Sequence, residues 1–231
     1  MNDSDEVLRI RQRYERREQI DHSLYHPLDP SVYLAVQERE RALIRWIHEA
    51  RLLPVSERRV LEVGCGSGAN LLTLIRLGFR PENLMGIDLL EERAAYARTI
   101  LPPTTRILVG DASTFDFGKS TFDVVLQFTV FTSILDPCFQ ERLADRMWSW
   151  VKPGGGILWY DFTFNNPKNP DVKGIPYHRV RKLFPRAQFK VWRLTLAPPI
   201  SRKVTRVNPN LYHVFNLFPF LRTHIMCWIY K

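Results

Sequence analysis

The stretch VLEVGCGSGANL, Val60 to Leu71, constrains the chain more than any other. A short apolar run meets Gly64, Gly66 and Gly68, and a helix-forming segment follows at once. Glycine at such a corner tolerates positive φ and lets another molecule approach the backbone closely. The order strand, tight turn, helix predicts the opening of a βαβ unit with a right-handed crossover. The spacing is G-x-G-x-G, whereas the dinucleotide fingerprint requires G-x-G-x-x-G. The turn alone therefore fits several nucleotide-binding folds, and also a purely structural corner.

The rest of the chain repeats the alternation. NLMGID, TRILVGD, TFDVVLQF, GILWYDF, AQFKVWRLTL and THIMCWIY read as strands. Between them, ANLLTLIRLG reads as a helix closing on Gly78, and LEERAAYARTIL as a second. A third opens on Asp136-Pro137 and ends near KPGGG; PYHRVRKLF and a short segment after Asn208-Pro209 add two more. Upstream lie a charged helix, Ser4 to Ile20, and a longer one, Ser31 to about Leu52, with Ser31 as its expected N-cap. This is the pattern of an α/β, doubly wound, Rossmann-like sheet. Residues 1–55 are expected to form a helical extension and 56–231 the domain proper. Ligands of such sheets sit outside the carboxyl ends of the strands.

Two carboxylates stand at those ends. Asp88 closes the second strand, where an acid can accept both hydroxyls of a ribose. Asp111, in GDA, closes the third, placed to accept from an exocyclic adenine amine while the Ala112 N–H addresses a ring nitrogen. Each alone reads equally as a turn or capping residue. With LEVGCGSG, GID, GDA, FDVV and KPGGG in this order, residues Arg59 to Trp159 resemble the class I S-adenosylmethionine-dependent methyltransferases. The resemblance implies a seven-stranded, mostly parallel sheet whose last strand is antiparallel, with S-adenosylmethionine as cofactor. It implies that Glu62, Gly64 and Gly66 line the methionine end and ribose, and that Asp88 binds the ribose. Leu89 would pack on the adenine, and Asp111 with Ala112 would read the base edge. Cys65, Gly68 and Gln127 complete the implied cofactor set, with Tyr14 and Arg17 of the first helix closing over it.

The segments FTVFTSILDP, WYDFTFNNPKNPDVKGI and FLRTHI are similar to bacterial methyltransferases associated with surface-glycan biosynthesis. Many members of the wider family carry a histidine near the position of Thr132, so a base there is not expected in this chain. Asp161, at the exit of the fifth strand, and His178, opening the next helix, are the candidate bases; each reads equally as a structural or surface residue. The lip NNPKNPDVKGIP offers Asn165, Asn166 and Asn169 for sugar hydroxyls, and Tyr177 and Arg179 join them as candidate acceptor contacts.

Charge sharpens the choice of acceptor. The chain of 231 residues carries a formal charge of +9, and from Tyr160 onward 13 Lys and Arg face only Asp161 and Asp171. The final third is thus +11 and the remainder −2. Arg179, Arg181, Lys182, Arg202, Lys203 and Arg206 predict an anionic acceptor, such as a phosphorylated glycan or nucleotide sugar. RNA is the alternative partner, with Tyr177, Trp192 and Tyr212 interleaved among the charges; an inactive scaffold is the non-enzymatic alternative. The segment NLYHVFNLFPFL is apolar enough to touch a membrane surface, though packing of Leu211, Val214, Phe215 and Phe218 onto the sheet is the ordinary expectation. Cys65, Cys138 and Cys227 show no metal or disulfide spacing, so no metal and a reducing, cytoplasmic setting are expected. The charged N-terminus does not read as a signal peptide.

Overall fold

The computed structural model describes residues 3–18, 26–167 and 169–231. Two helices come first, α1 (Asp3–Glu18) and α2 (Pro30–Glu49). The core then runs β1 (Val60–Val63), α3 (Ala69–Arg76), β2 (Leu84–Asp88), α4 (Glu91–Ile100), β3 (Arg106–Val109), β4 (Phe122–Phe128), α5 (Pro137–Trp150) and β5 (Val151–Phe162). It is completed by α6 (Tyr177–Leu183), β6 (Gln188–Leu196), α7 (Pro198–Val207), α8 (Leu211–Asn216) and β7 (Arg222–Tyr230).

The strands form one seven-stranded sheet in the order β3-β2-β1-β4-β5-β7-β6. β1 to β5 are mutually parallel, and β7 lies antiparallel between β5 and β6. Alternation along each strand divides the core into two layers. Ile157 and Trp159 of β5 point with Leu61, Val125 and Cys227 toward α5, α6 and Ile10 of α1. Leu158 and Tyr160 point with Val60, Val124 and Trp228 toward α2, α3 and α4. Trp46 of α2, fully buried, meets Trp228 at 5.5 Å between ring centroids. The strand order reverses between β1 and β4, the switch point at which such sheets open a crevice.

Four local details differ from the sequence expectation. α2 is capped by Asp29, whose Oδ1 accepts the Ser31 N–H at 2.8 Å, with Pro30 in the first turn. Ser31 is thus inside the helix, because an acid immediately before a proline at N1 is the better cap. α2 also ends at Glu49, and Ala50 is its C-cap. α5 ends at Trp150, beside KPGGG as expected, but β5 begins before GILWYDF: KPGGG belongs to it, and its pairing with β4 shifts register between Phe122 and Val124. α7 was not legible in the sequence; its buried residues are Ser201 and Thr205, so it lacks the usual apolar stripe.

Candidate active site

The glycine corner is built as the sequence requires. The Gly64 and Cys65 N–H groups both donate to the Ile87 carbonyl, at 2.7 and 3.1 Å, which pins the turn to β2. Gly64 has φ +67°, and a Cβ there would lie 2.4 Å from Cγ2 of Val130, so any other residue would be strained and would displace Val130. Asp88 reaches back across the turn: its Oδ2 accepts the Gly66 N–H at 2.7 Å and its Oδ1 the Leu90 N–H at 2.9 Å. Each oxygen keeps a further lone pair for a ligand hydroxyl.

These groups line a cavity of about 120 Å³ over the switch point. Val63, Gly64, Asp88, Leu89, Gly110, Asp111 and Ala112 form its floor, Thr129 and Val130 its inner wall, and Val7, Ile10 and Tyr14 of α1 its roof. Asp111 is held by the Ser113 N–H and hydroxyl, both at 2.8 Å. Tyr14 lies under the Arg93 guanidinium, 4.9 Å from its ring centroid, a contact the sequence reading did not contain. The Arg17 side chain lies outside the described residues. α1 is clamped by a buried pair, Glu6 with Arg13 at 2.6 Å, and the same Glu6 oxygen accepts the Leu135 N–H at 3.0 Å. On the outer side of α1, a wider cleft of about 380 Å³ carries Arg9, Arg13 and Arg16, the last paired with Asp171 at 2.5 Å.

Other expected cofactor contacts face inward. The Cys65 side chain packs in the core beside Gly86, and burial raises its thiol well above the usual range. Gln127 is fully buried; its Nε2 donates to Asp161 Oδ2 at 2.9 Å and its Oε1 accepts the Val130 N–H at 3.0 Å. It therefore shapes the cavity wall rather than touching a ligand. Glu62 is fully buried, and burial pushes it up to about 8. Its Oε1 accepts from Asn70 Nδ2 at 2.7 Å, while its Oε2 has no partner among the described residues.

The expected catalytic and acceptor residues are corrected more substantially. Asp161 has no exposed surface; its two oxygens accept from Gln127 and from the Thr132 hydroxyl at 2.8 Å. Burial raises it to about 7, and the enclosed carboxylate ties the β4 and β5 exits together, with no surface turned to an acceptor in this structure. His178 is exposed on α6. Arg179 is a strut: it donates to Gln140 Oε1 at 3.1 Å, Glu141 Oε1 at 2.8 Å and the Pro137 carbonyl at 2.9 Å, joining α6 to α5. Tyr177 packs edge-on against Phe189. The α6 group therefore does not gather at the site. In the lip, Asn165 Oδ1 accepts the Gly174 N–H and Asn169 Oδ1 the Asp171 N–H, both at 3.0 Å. The Lys173 N–H donates to the Thr132 carbonyl at 2.8 Å, and the Asn166 carbonyl accepts the Asn169 N–H at 3.0 Å. These asparagines spend carbonyl groups on fixing the loop, and Asn165 is exposed.

A different polar group stands at the same sheet edge. His224, at the start of antiparallel β7, is paired with Phe162, the last residue of β5. Its ring stacks on Tyr160 at 5.0 Å, and its Nδ1 lies 3.0 Å from the Thr223 hydroxyl, which fixes the ring orientation. Burial, with the nearby charge of Arg39, pushes it down to about 4. The Arg39 guanidinium of α2 lies over both Phe128 and Tyr160, at 5.6 and 5.5 Å. The Tyr160 hydroxyl is 2.6 Å from that of Thr195, and buried Glu38 accepts the Thr195 N–H at 3.1 Å and the Tyr212 hydroxyl at 2.7 Å. Thr129 and Thr195 both hold positive φ, +60° and +66°, a conformation costly for β-branched residues that clusters at functional sites. Only FLRTHI hinted at this group, and its meaning depends on β7 being inserted next to β5.

The comparisons agree with this geometry. Residues 60–155 match the family model described as "Methyltransferase domain". A malonyl-[acyl-carrier protein] O-methyltransferase of Bacteroides fragilis is 37% identical over 111 residues, 41% of this chain and 22% of that protein. Phthiotriol/phenolphthiotriol dimycocerosates methyltransferase 1 of Mycobacterium ulcerans is 33% identical over 162 residues, 66% of this chain and 58% of that protein. The matches thus span less than two thirds of either relative. An S-adenosylmethionine-dependent methyltransferase from Archaeoglobus fulgidus shares the fold, with TM-score 0.59, 17% identity and coverage of 85% of this chain and 99% of that one. Residues 60–155 are thus similar to a methyltransferase domain, and the sheet shares the fold of an enzyme whose methyl donor is S-adenosylmethionine. The residues present fit that group: small backbone at Gly64, a carboxylate at Asp88, apolar walls at Leu89, Val130 and Ile134, and a buried unpartnered acid oxygen on Glu62.

Proposed function

We propose that the protein transfers a methyl group from S-adenosylmethionine to a hydroxyl or amine of a small or lipid-linked, anionic acceptor, of which a glycan or nucleotide sugar is one class. The observation that carries the reading is the juxtaposition of two features at one sheet edge. The glycine corner with Asp88 and Asp111 opens over β1 and β2, and the His224–Tyr160–Arg39 group stands over β5 and β7. When bound, the cofactor supplies an already activated methyl group, so the chain's contribution is chiefly orientation and proton removal. Asp88 and Asp111 hold the nucleoside portion, and Leu89 and Ile134 exclude water from it. His224 is neutral at pH 7 and takes the acceptor proton at the ring nitrogen turned away from Thr223, Nε2. Arg39 supplies positive charge for the acceptor anion. The two curated relatives are named for an acyl-carrier conjugate and for dimycocerosates, which favours an acceptor of that amphiphilic kind here.

The test is calorimetry with S-adenosylmethionine and S-adenosylhomocysteine, followed by measuring release of the demethylated product across phosphorylated sugars, nucleotide sugars and lipid-linked glycans. Binding of both nucleosides and turnover with one acceptor class is the expected result. No binding of either nucleoside would end the proposal.

A further inference from the structure

The connection between β6 and β7 leaves apolar side chains in water. Val207, Leu217 and Phe220 are 81%, 72% and 73% exposed, and Phe218 and Val214 are about half exposed. The expected packing of Val214 and Phe218 onto the sheet is therefore not found; of α8, Tyr212 alone is buried, on Glu38. Phe218 and Phe220 stand side by side, 5.7 Å between ring centroids. Single exposed apolar residues are ordinary, but five within fourteen positions are a marked surface feature.

The charge around them is of one sign. Lys203 and Arg206 are exposed on α7, and no Asp or Glu occurs anywhere after Asp171. The acids near this region belong to α2 and its cap: Asp29, which faces Arg202, and Glu38, which is buried under Tyr212. Neither offsets the outward charges of Lys203 and Arg206. A second copy of this face would bring positive charge against positive charge, whereas an anionic bilayer matches both its apolar and its basic parts. Position argues the same way. The connection leaves β6 at Leu196 and enters β7 at Arg222, two residues from His224, so it lies at the ligand edge of the sheet.

We infer that Val207, Val214, Leu217, Phe218 and Phe220, with Lys203 and Arg206, form a bilayer-docking face that seats the protein on anionic lipid headgroups beside its acceptor site. The inference deepens the lipid-linked branch of the proposed function and rests on it. The aromatic side chains insert at the headgroup boundary, and the two basic residues hold the anionic surface. An acceptor anchored in that membrane then reaches His224 without leaving the lipid.

The experiment is sedimentation with vesicles of equimolar phosphatidylglycerol and phosphatidylethanolamine, and with phosphatidylcholine vesicles alone. The full chain is expected to bind the anionic vesicles and to release them at high salt. Phe218→Ser with Phe220→Ser, and separately Lys203→Gln with Arg206→Gln, should each weaken binding about tenfold or more, given roughly fivefold per basic residue near an anionic surface. Melting temperature and S-adenosylhomocysteine affinity should stay at the wild-type values, since all four positions are exposed. Wild-type protein that ignores anionic vesicles overturns the inference, as does undiminished binding by both double variants. So does a wild-type dimer that Phe218→Ser with Phe220→Ser turns into monomer. Retained nucleoside binding in any of these outcomes leaves the methyl-transfer reading intact, so the two failures are told apart.

Discussion

Gly64 is the residue on which the site turns. Its positive φ and its 2.4 Å approach to Val130 leave no room for a methyl group. Gly64→Ala must therefore either open the corner or push Val130 into the cavity, and S-adenosylhomocysteine affinity measured by calorimetry should fall at least about hundredfold, in keeping with a cost of several kcal/mol for backbone strain plus overpacking. At the other end, His224→Phe keeps the stack on Tyr160 but removes the nitrogen. It should lower kcat about 10²–10⁴-fold, the usual worth of a general base, while nucleoside affinity stays unchanged. Because the imidazole titrates near 4, the wild-type rate should be flat above about pH 6 with respect to this group. Asp161→Asn has the contrasting signature: a lowered melting temperature, since a neutral amide cannot accept from both Gln127 and Thr132 in the same way. The glycine corner, Asp88 and Asp111 were legible in the sequence because one local turn and two strand ends carry them. His224 was not, because its partners Tyr160 and Phe162 lie some sixty positions away and meet it only through the sheet. Asp161 and Arg179 were misread for the complementary reason. Sequence shows a polar residue near a strand exit but not that Gln127, Thr132 or Glu141 has already claimed it.

At the scale of elements, α1 decides access. Its inner residues Val7, Ile10 and Tyr14 roof the cofactor cavity, and Glu6 fastens it to the loop before α5. Removing the carboxylate leaves the Arg13 charge and the Leu135 N–H without this partner. Glu6→Ala should therefore speed S-adenosylhomocysteine release about tenfold or more in stopped-flow displacement, with little change in melting of the central sheet. The sequence shows a charged helix here, but so few apolar points among the charges hid which face was covered. α7 escaped notice altogether, since its buried side is Ser201 and Thr205 and its pattern is set by α2 rather than by hydrophobicity. The lip between β5 and α6 was legible as a polar loop; what the sequence did not reveal is its backbone ties, from Lys173 to Thr132 and from Ile175 to Phe162.

For the whole molecule, two buried acids set the response to pH. Glu62 and Asp161 are raised to about 8 and about 7 by burial. A carboxyl raised on folding contributes its full stability below its unfolded value near 4 and loses it as pH rises through the folded value. The ligand-free protein should accordingly become less stable from about pH 5 to about pH 8, and Glu62→Gln should flatten the upper part of that decline in melting scans. His224 acts at the acid end in the opposite sense: lowered on folding, it contributes stability above about 6.5 that is lost as pH falls through about 4.

The order of strands has a consequence for how the chain reaches this state. β7 is synthesised after β6 but lies between it and β5, hydrogen-bonded to both. Until β7 arrives, β5 is a bare edge ending in ILWYDF, and β6 has no neighbour to join. Assembly of that half of the sheet must wait for the latest strand to thread between two earlier ones, a long-range pairing that is slow by nature. A ribosome-bound or prematurely ended chain would thus display the unpaired edge of β5 together with the exposed Phe218 and Phe220, and such chains are the ones expected to need a chaperone.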